Sequence, residues 1–347
     1  MVHQSPTNVI VDDSVLGQEF LPTDLAARHP QISLLEACLE PARHGRKPTH
    51  AWLHGSPGSG KTAVARAVLA KVVREAGVAG VAINCWERDS LYEVLDQMIT
   101  DLKVFHAEEH RSSVKLERLK RCLGEKRLVI LLDELDKVPP AERSKILYTL
   151  DEMGNTGLIC VSCSLSALFE LEERVRSRIN PRTINFSPYS AEEIIEILTR
   201  RAHLAIASGA CPPFLIKRIA AVCSGDARVA IQTLRNAAES AEHAGRASIT
   251  PRDLVSGWHD SQQAKASDVL RRLTEDHRLL YGIVSRSKEI LSTDLHRFYL
   301  KRCARHGRNP IAVRTFSGYV NQLVQMGLIR CERARVKGNV RLLKAAK

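Results

Sequence analysis

Between Gly55 and Thr62 the chain reads GSPGSGKT, the spacing of Gly, four residues, Gly, Lys and Thr that a phosphate-binding loop requires. Gly55, Gly58 and Gly60 let backbone N–H groups curl round a phosphate, with Ser56, Pro57 and Ser59 between them and Ala63 just beyond. Lys61 offers a point charge to the outer phosphates and Thr62 a hydroxyl to magnesium. A second cluster, Asp133-Glu134-Leu135-Asp136, follows the apolar run Leu128 to Leu132. There Asp133 suits the shell of a magnesium ion, and Glu134 is placed to orient or deprotonate an attacking water. ATP or ADP with Mg2+ is the ligand pair that this chemistry fits.

These residues need strands and helices to position them. Ala51 to Leu53 reads as a buried strand entering the loop, and Thr62 to Arg74 as the helix leaving it. Val81 to Asn84, Leu128 to Leu132, Leu158 to Ser162 and Thr183 to Phe186 are further strands, with helical stretches such as Ser90 to Leu102 and Val114 to Leu123 between them. Carboxylates at the C-terminal end of a buried parallel strand lie where open α/β sheets bind ligands. This alternation predicts a doubly wound α/β nucleotide domain. After Phe186 the strand signals stop. The stretch from Ser190 opens with a capping box completed by Glu193, Pro213 and Asp226 open further helices, and Thr250-Pro251 starts a short fourth. Residues 190–260 are therefore expected to form an all-helical domain, with Gln262 to Ala266 as a linker or helical hinge.

Net charge is +12, and its distribution is informative: from Asp268 to Lys347, 18 Lys and Arg stand against 6 Asp and Glu, so the rest of the chain is balanced. A polyanion-binding C-terminal module is the expectation. Two helices, a third running from Pro310 to before Gly327, and a hairpin built on Leu328 to Cys331 and Val340 to Leu343 predict a winged helix-turn-helix. In such a module the third helix enters the major groove. Arg314, Thr315, Ser317 and Asn321 are the candidate base-facing residues, with Val313, Phe316, Val320, Leu323 and Val324 on the core side. Arg333, Arg335, Lys337 and Arg341 on the hairpin would reach phosphates or a minor groove; a solvated basic face is the alternative.

Nine cysteines, an odd number scattered through apolar segments, argue against a secreted disulfide framework. No apolar run approaches the ~18 residues of a spanning helix, and the start shows no leader pattern. The expected setting is cytoplasmic and nucleoid-associated, with no membrane partner.

The arrangement resembles the AAA+ replication initiators of the archaeal origin-recognition/cell-division-cycle type, related to the eukaryotic origin-recognition large subunit. The motifs that carry the resemblance are GSPGSGKT, LLDELDKV and the SGDAR of Ser224 to Arg228, within a likeness spanning about residues 20 to 345. It implies a P-loop AAA+ ATPase domain over 20–189, a helical lid over 190–260, a winged helix-turn-helix over 261–347 and a flexible lead-in over 1–19. By the match, Arg228 is the lid's second sensor, contacting the γ-phosphate, and Phe20-Leu21-Pro22 with Arg28 lies near the adenine. Arg174, Arg176 and Arg178 fall where related ATPases place a finger for a neighbour's nucleotide. Ser177-Arg178 looks most like that pattern, a solvated basic loop being the alternative. Where the family usually carries a first-sensor Asn, Cys163 stands, flanked by Ser162 and Ser164, which are able to substitute. A thiol is a poor donor, so tight ATP binding with slow hydrolysis is expected.

The function implied is an ATP-regulated initiator on double-stranded origin DNA, acting with itself or a paralogue and recruiting the replicative helicase. A DNA-contacting helical insertion is expected within Trp86 to Arg111. Two other readings share the fold: a helicase-loading or transposition-associated AAA+ ATPase, and a nucleotide-sensing winged-helix transcription regulator.

Overall fold

In the computed structural model the described residues are 8–345, apart from 18, 23, 24, 26, 105–110, 272, 288, 306, 326, 327 and 334–340; within 262–271 and at 325 and 333 only the backbone is described. They divide into a unit up to Trp258 and a second from His259 onward.

The first unit opens with a short helix α1 (Asp13–Leu16), capped by the Asp12 side chain, and then α2 (His29–Arg43). A five-stranded sheet follows, built from β1 (Ala51–Gly55), β2 (Ala79–Asn84), β3 (Leu128–Asp133), β4 (Thr156–Ser162) and β5 (Arg182–Phe186). Between them run α3 (Lys61–Ala76), α4 (Leu91–Asp101), α5 (Ser112–Leu123), α6 (Pro140–Asp151), α7 (Ser166–Phe169) and α8 (Glu173–Ile179). All pairings in the order β2-β3-β4-β1-β5 are parallel. Both faces of the sheet are apolar because successive residues alternate sides. Trp52, Ile130 and Leu132 enter one core with α4, α5 and α6, while Leu53, Val129 and Leu131 enter the other with α2 and α3. The strand order carries β4 between β1 and β3, so the loops after these three strands meet at one edge.

A helical domain follows: α9 (Ala191–Ala205), α10 (Pro213–Val222), α11 (Ala227–His243) and the start of α12 (Pro251–Arg271). The capping box at α9 forms, with Ser190 Oγ accepting from the Glu193 amide at 3.2 Å and Glu193 Oε2 accepting from the Ser190 amide at 2.7 Å. α12 is longer than the short helix expected; no Gly or Pro interrupts residues 258–271, so nothing stops the helix.

The expected flexible lead-in is corrected over residues 8–17. Val9, Val15 and Leu16 are buried in the core of the helical domain, Ile10 bridges to Ile206, and the Ile10 amide donates to Glu242 Oε1 at 2.8 Å. The segment is too short to show a period by itself, and tertiary burial orders it.

The second unit contains α13 (Glu275–Arg286), β6 (Ile290–Leu291), α14 (Ser292–Arg305), α15 (Val313–Gln325), β7 (Ile329–Arg333) and β8 (Arg341–Ala345). The hairpin β7-β8 gains β6 on its other edge, giving a three-stranded antiparallel sheet in the order β6-β8-β7. Leu280, Leu295, Phe316, Leu323 and Leu343 join the three helices and the sheet in one core.

Candidate nucleotide site and nucleic-acid face

The loop from Gly55 to Gly60 leaves β1 and turns into α3 with positive φ at Gly58 (74°) and Gly60 (90°). These are conformations that a β-carbon disfavours. Ser59 Oγ donates to Ser56 O at 2.8 Å, closing the loop on itself. Buried Lys61 donates to Gly55 O at 2.7 Å and Ser56 O at 2.9 Å, so its ammonium lies in the cup of the loop. Thr62 Oγ1 donates to Asp133 Oδ1 at 3.1 Å, which joins the first turn of α3 to the end of β3. The same oxygen accepts from the Glu134 amide at 3.0 Å, and Glu134 sits at φ 53°, strained for a residue with a side chain.

Desolvation lowers the Lys61 pKa and the positive charge of Arg228 lowers it further, against an upward pull from Asp133 and Asp136. The first charge of α11 therefore lies within electrostatic reach of the phosphate loop. Cys163 is exposed, yet crowded closely enough that desolvation raises its pKa, with Asp136 adding to the rise and Lys61 opposing it. The thiol stays protonated near neutrality.

The two flanking serines are committed elsewhere. Ser162 Oγ accepts from Trp52 Nε1 at 2.9 Å and donates to Ser164 O at 2.8 Å, while Ser164 Oγ accepts from the Ser166 amide at 3.1 Å. Cys163, expected at the position of the first sensor, is the side chain between these two engaged serines.

The donor set suits a magnesium nucleotide. Thr62 and Asp133 place two hard oxygens side by side, and Asp136 Oδ1 is buried with no hydrogen-bond partner among the described residues. No cluster of three or more His, Cys, Asp or Glu fit for a metal occurs among the described residues. Two adjacent protein oxygens suit an ion that takes its other ligands from phosphates and water.

Arg143 went unnoticed in the sequence. It is fully buried on α6 and donates to the carbonyls of Leu135, Ala167, Asp136 and Val138 and to Glu170 Oε2. Through these bonds it fixes the turn after Asp133 and the segment after Cys163. No motif marks it: it joins α6's own approach loop to a segment 24 to 27 residues away.

Arg28, expected near the adenine, is engaged with the phosphate loop. Its guanidinium donates to Ser59 O at 2.9 Å and Ser187 O at 2.7 Å and lies 3.7 Å from the centroid of Tyr189, so it holds the phosphate loop. Leu21 is exposed and Pro22 half-buried, and neither is brought to the loop by a polar contact, as their side chains carry none. On α11's approach, the Ala227 amide donates to Gly58 O at 3.2 Å, and Asp226 caps the helix by accepting from the Val229 amide.

Arg178 on α8 is engaged away from this cleft. Its Nε donates to Asp151 Oδ2 at 2.6 Å at the end of α6. Asp151 also binds Lys47 at 2.5 Å and His50 at 3.0 Å; despite burial, the Arg178 and Lys47 cations and the His50 hydrogen bond hold its carboxyl down at about 2. The Leu158 amide donates to His50 Nδ1, so His50 carries its proton on Nε2 and presents it to Asp151.

In the second unit, Arg314 and Thr315 are exposed on the first turn of α15, Asn321 is exposed two turns on, and Ser317 is half-buried. Phe316, Val320 and Leu323 face the core and Val324 is half-buried against it, but Val313 is 64% exposed. It begins the helix, ahead of the turn that packs. Arg341 Nη1 donates to Asn321 Oδ1 at 2.5 Å, and the Arg341 amide donates to Ser292 Oγ. Arginine has no acceptor, so the amide oxygen of Asn321 must face it and the amide N–H groups turn outward. The backbone of Arg333 lies in β7; Arg335 and Lys337 fall outside the described residues. A contact not foreseen braces α15: His277 stacks on Tyr319 at 3.8 Å between centroids, with Nε2 at 2.6 Å from Gln322 Oε1.

Residues 24–161 match the family described as AAA ATPase domain, and residues 195–257 match the Cdc6 AAA+ ATPase-type lid domain. An ORC1-type DNA replication protein 1 of Halobacterium salinarum is 30% identical over 301 residues, which cover 85% of this chain and 96% of that protein. Its counterpart in Sulfurisphaera tokodaii is 28% identical, covering 94% and 86%. The solved structure of the Aeropyrum pernix ORC1 protein in complex with DNA superposes with a TM-score of 0.81 at 26% identity, covering 98% of this chain and 94% of that one. The Aeropyrum pernix ORC2 protein in its ADPNP–ADP complexes shares the fold, with a TM-score of 0.68 at 20% identity, covering 97% and 94%.

Proposed function

The chain belongs to the ORC1-type family of DNA replication proteins, and from that membership we propose that it is a replication initiator whose ATP site acts as a switch on its grip of origin DNA. The observation that carries the switch is the direct seating of the SGDAR turn on the phosphate loop, through the Ala227 amide and Gly58 O. A helical domain that touches the loop at this point feels what the loop holds.

Roles follow from placement. The loop amides and Lys61 bind the phosphates of ATP, Thr62 and Asp133 hold Mg2+, and Arg228 meets the γ-phosphate from the lid. When bound, the magnesium neutralises charge on the outer phosphates. Glu134 orients and deprotonates the attacking water, and Cys163, a neutral and weak donor, supports that water poorly. Hydrolysis is therefore slow, and ATP serves chiefly to set the lid.

On the nucleic-acid side, α15 enters the major groove with Arg314 and Thr315 leading. Asn321 offers N–H donors to acceptors on a base edge, while Arg333, Arg335, Lys337 and Arg341 follow phosphates or the minor groove. The basic excess of the last 80 residues provides affinity without sequence preference. Helicase recruitment, self-association on DNA and a trans-acting Arg178 complete the reading.

Fluorescence anisotropy on labelled origin duplex tests it. The wild type is expected to bind with different affinities in ATP and ADP, and Lys61→Ala to give one affinity in both. Equal wild-type affinities in the two nucleotides contradict the switch.

A further inference from the structure

Resting on the ATP-switch reading, we propose that Arg28 is a positioning residue that ties the phosphate loop to the hinge of the helical domain, so that nucleotide affinity and the attitude of that domain change together. Arg28 is only 3% exposed, although it precedes the sheet by more than twenty residues. Its planar fork spans three elements at once. Nε grips Ser59 O in the loop, Nη2 grips Ser187 O just after β5, and the flat face stacks 3.7 Å from the centroid of Tyr189, next to the cap of α9.

Tyr189 extends the tie in both directions. A β-carbon at Gly60 would come within 2.3 Å of its hydroxyl, so the ring edge sits directly against the loop. Its own amide donates to Gly225 O at 3.1 Å, inside the SGDAR turn. Asp226 of that turn closes on the loop from the other side, 2.0 Å from where a β-carbon on Gly58 would lie. The two glycines whose amides would cup a phosphate are thus each backed by a group from the hinge or the helical domain, and Arg28 holds the hinge to the loop.

A lysine cannot replace this fork. One ammonium reaches a carbonyl but does not span two of them while lying flat on an aromatic ring. Tyr189→Phe keeps the ring face that Arg28 needs, whereas Tyr189→Leu removes it.

Hydrogen-exchange mass spectrometry on the full chain, with and without ATP and Mg2+, distinguishes coupling from simple support of the fold. In the wild type, ATP is expected to protect both residues 55–62 and residues 224–230. Arg28→Lys and Tyr189→Leu are expected to weaken ATP binding about tenfold, the scale of one lost charge-assisted hydrogen bond. At saturating ATP both should still protect 55–62 but lose the protection of 224–230, and Tyr189→Phe should retain both. If Arg28→Lys and Tyr189→Leu protect 224–230 as the wild type does, the tie is overturned while the ATP site stands. If ATP protects neither segment in the wild type, both the tie and the ATP reading are overturned.

Discussion

At the scale of single residues, the two positions with the clearest consequences are the Cys163 thiol, proposed as the first sensor, and the buried Asp151 carboxylate. Cys163 is protonated and donates weakly, while Ser162 and Ser164 are bound elsewhere. Cys163→Asn should raise the single-turnover rate of ATP hydrolysis by about tenfold, equivalent to one better-formed hydrogen bond in the transition state. An unchanged rate would overturn the proposal that the thiol slows turnover. Asp151 gathers Lys47, His50 and Arg178, with the last two-fifths exposed. Asp151→Asn should cost about 2 kcal/mol at neutral pH, less than a fully buried pair because solvent screens the outer partners. The folded pKa lies below the unfolded one, so the stabilisation is complete above 3.8 and is lost as pH falls toward about 2. Burial also lowers the His50 pKa, which adds a loss of the same sign below 6.5 in both proteins. Thermal melts should therefore show the gap between wild type and variant closing between pH 3.8 and about 2; a gap unchanged to the lowest pH would deny the carboxylate its charge.

Elements show where the sequence is readable and where it is not. GSPGSGKT and the Asp133-Glu134 pair are contiguous motifs attached to apolar strands, and Thr62 and Asp133 meet as their chemistry suggests. The capping box of α9 is equally local. What could not be read are side chains with partners remote in the chain: Arg143 with Ala167 and Glu170, Arg28 with Ser187, and Asp151 with His50. Each looks like an ordinary surface charge until the sheet order brings its partners together. The segment 8–17 is the reverse case, apolar residues too few to show a period but buried once the helical domain exists. Leu16 is 1% exposed there, so Leu16→Ala should destabilise the protein by about 2–4 kcal/mol. Chemical denaturation measures this, and a cost below about 0.5 kcal/mol, the surface range, would mean that the segment does not belong to that core.

For the molecule as a whole, charge and topology divide the labour. The nucleotide loop and the helical domain belong to the unit up to Trp258, which is charge-balanced, and the excess begins beyond it at Asp268. The C-terminal unit carries that excess on a three-helix, three-stranded frame with Arg314, Thr315 and Asn321 exposed along α15. A transcription regulator could use the same parts, and the two differ only in the DNA address. Genome-wide mapping of bound DNA, wild type beside Lys61→Ala, tests the central claim most directly. The account predicts enrichment of the wild type at replication origins and an altered occupancy there when Lys61 is lost. Enrichment confined to promoters, or a pattern indifferent to Lys61, would contradict it.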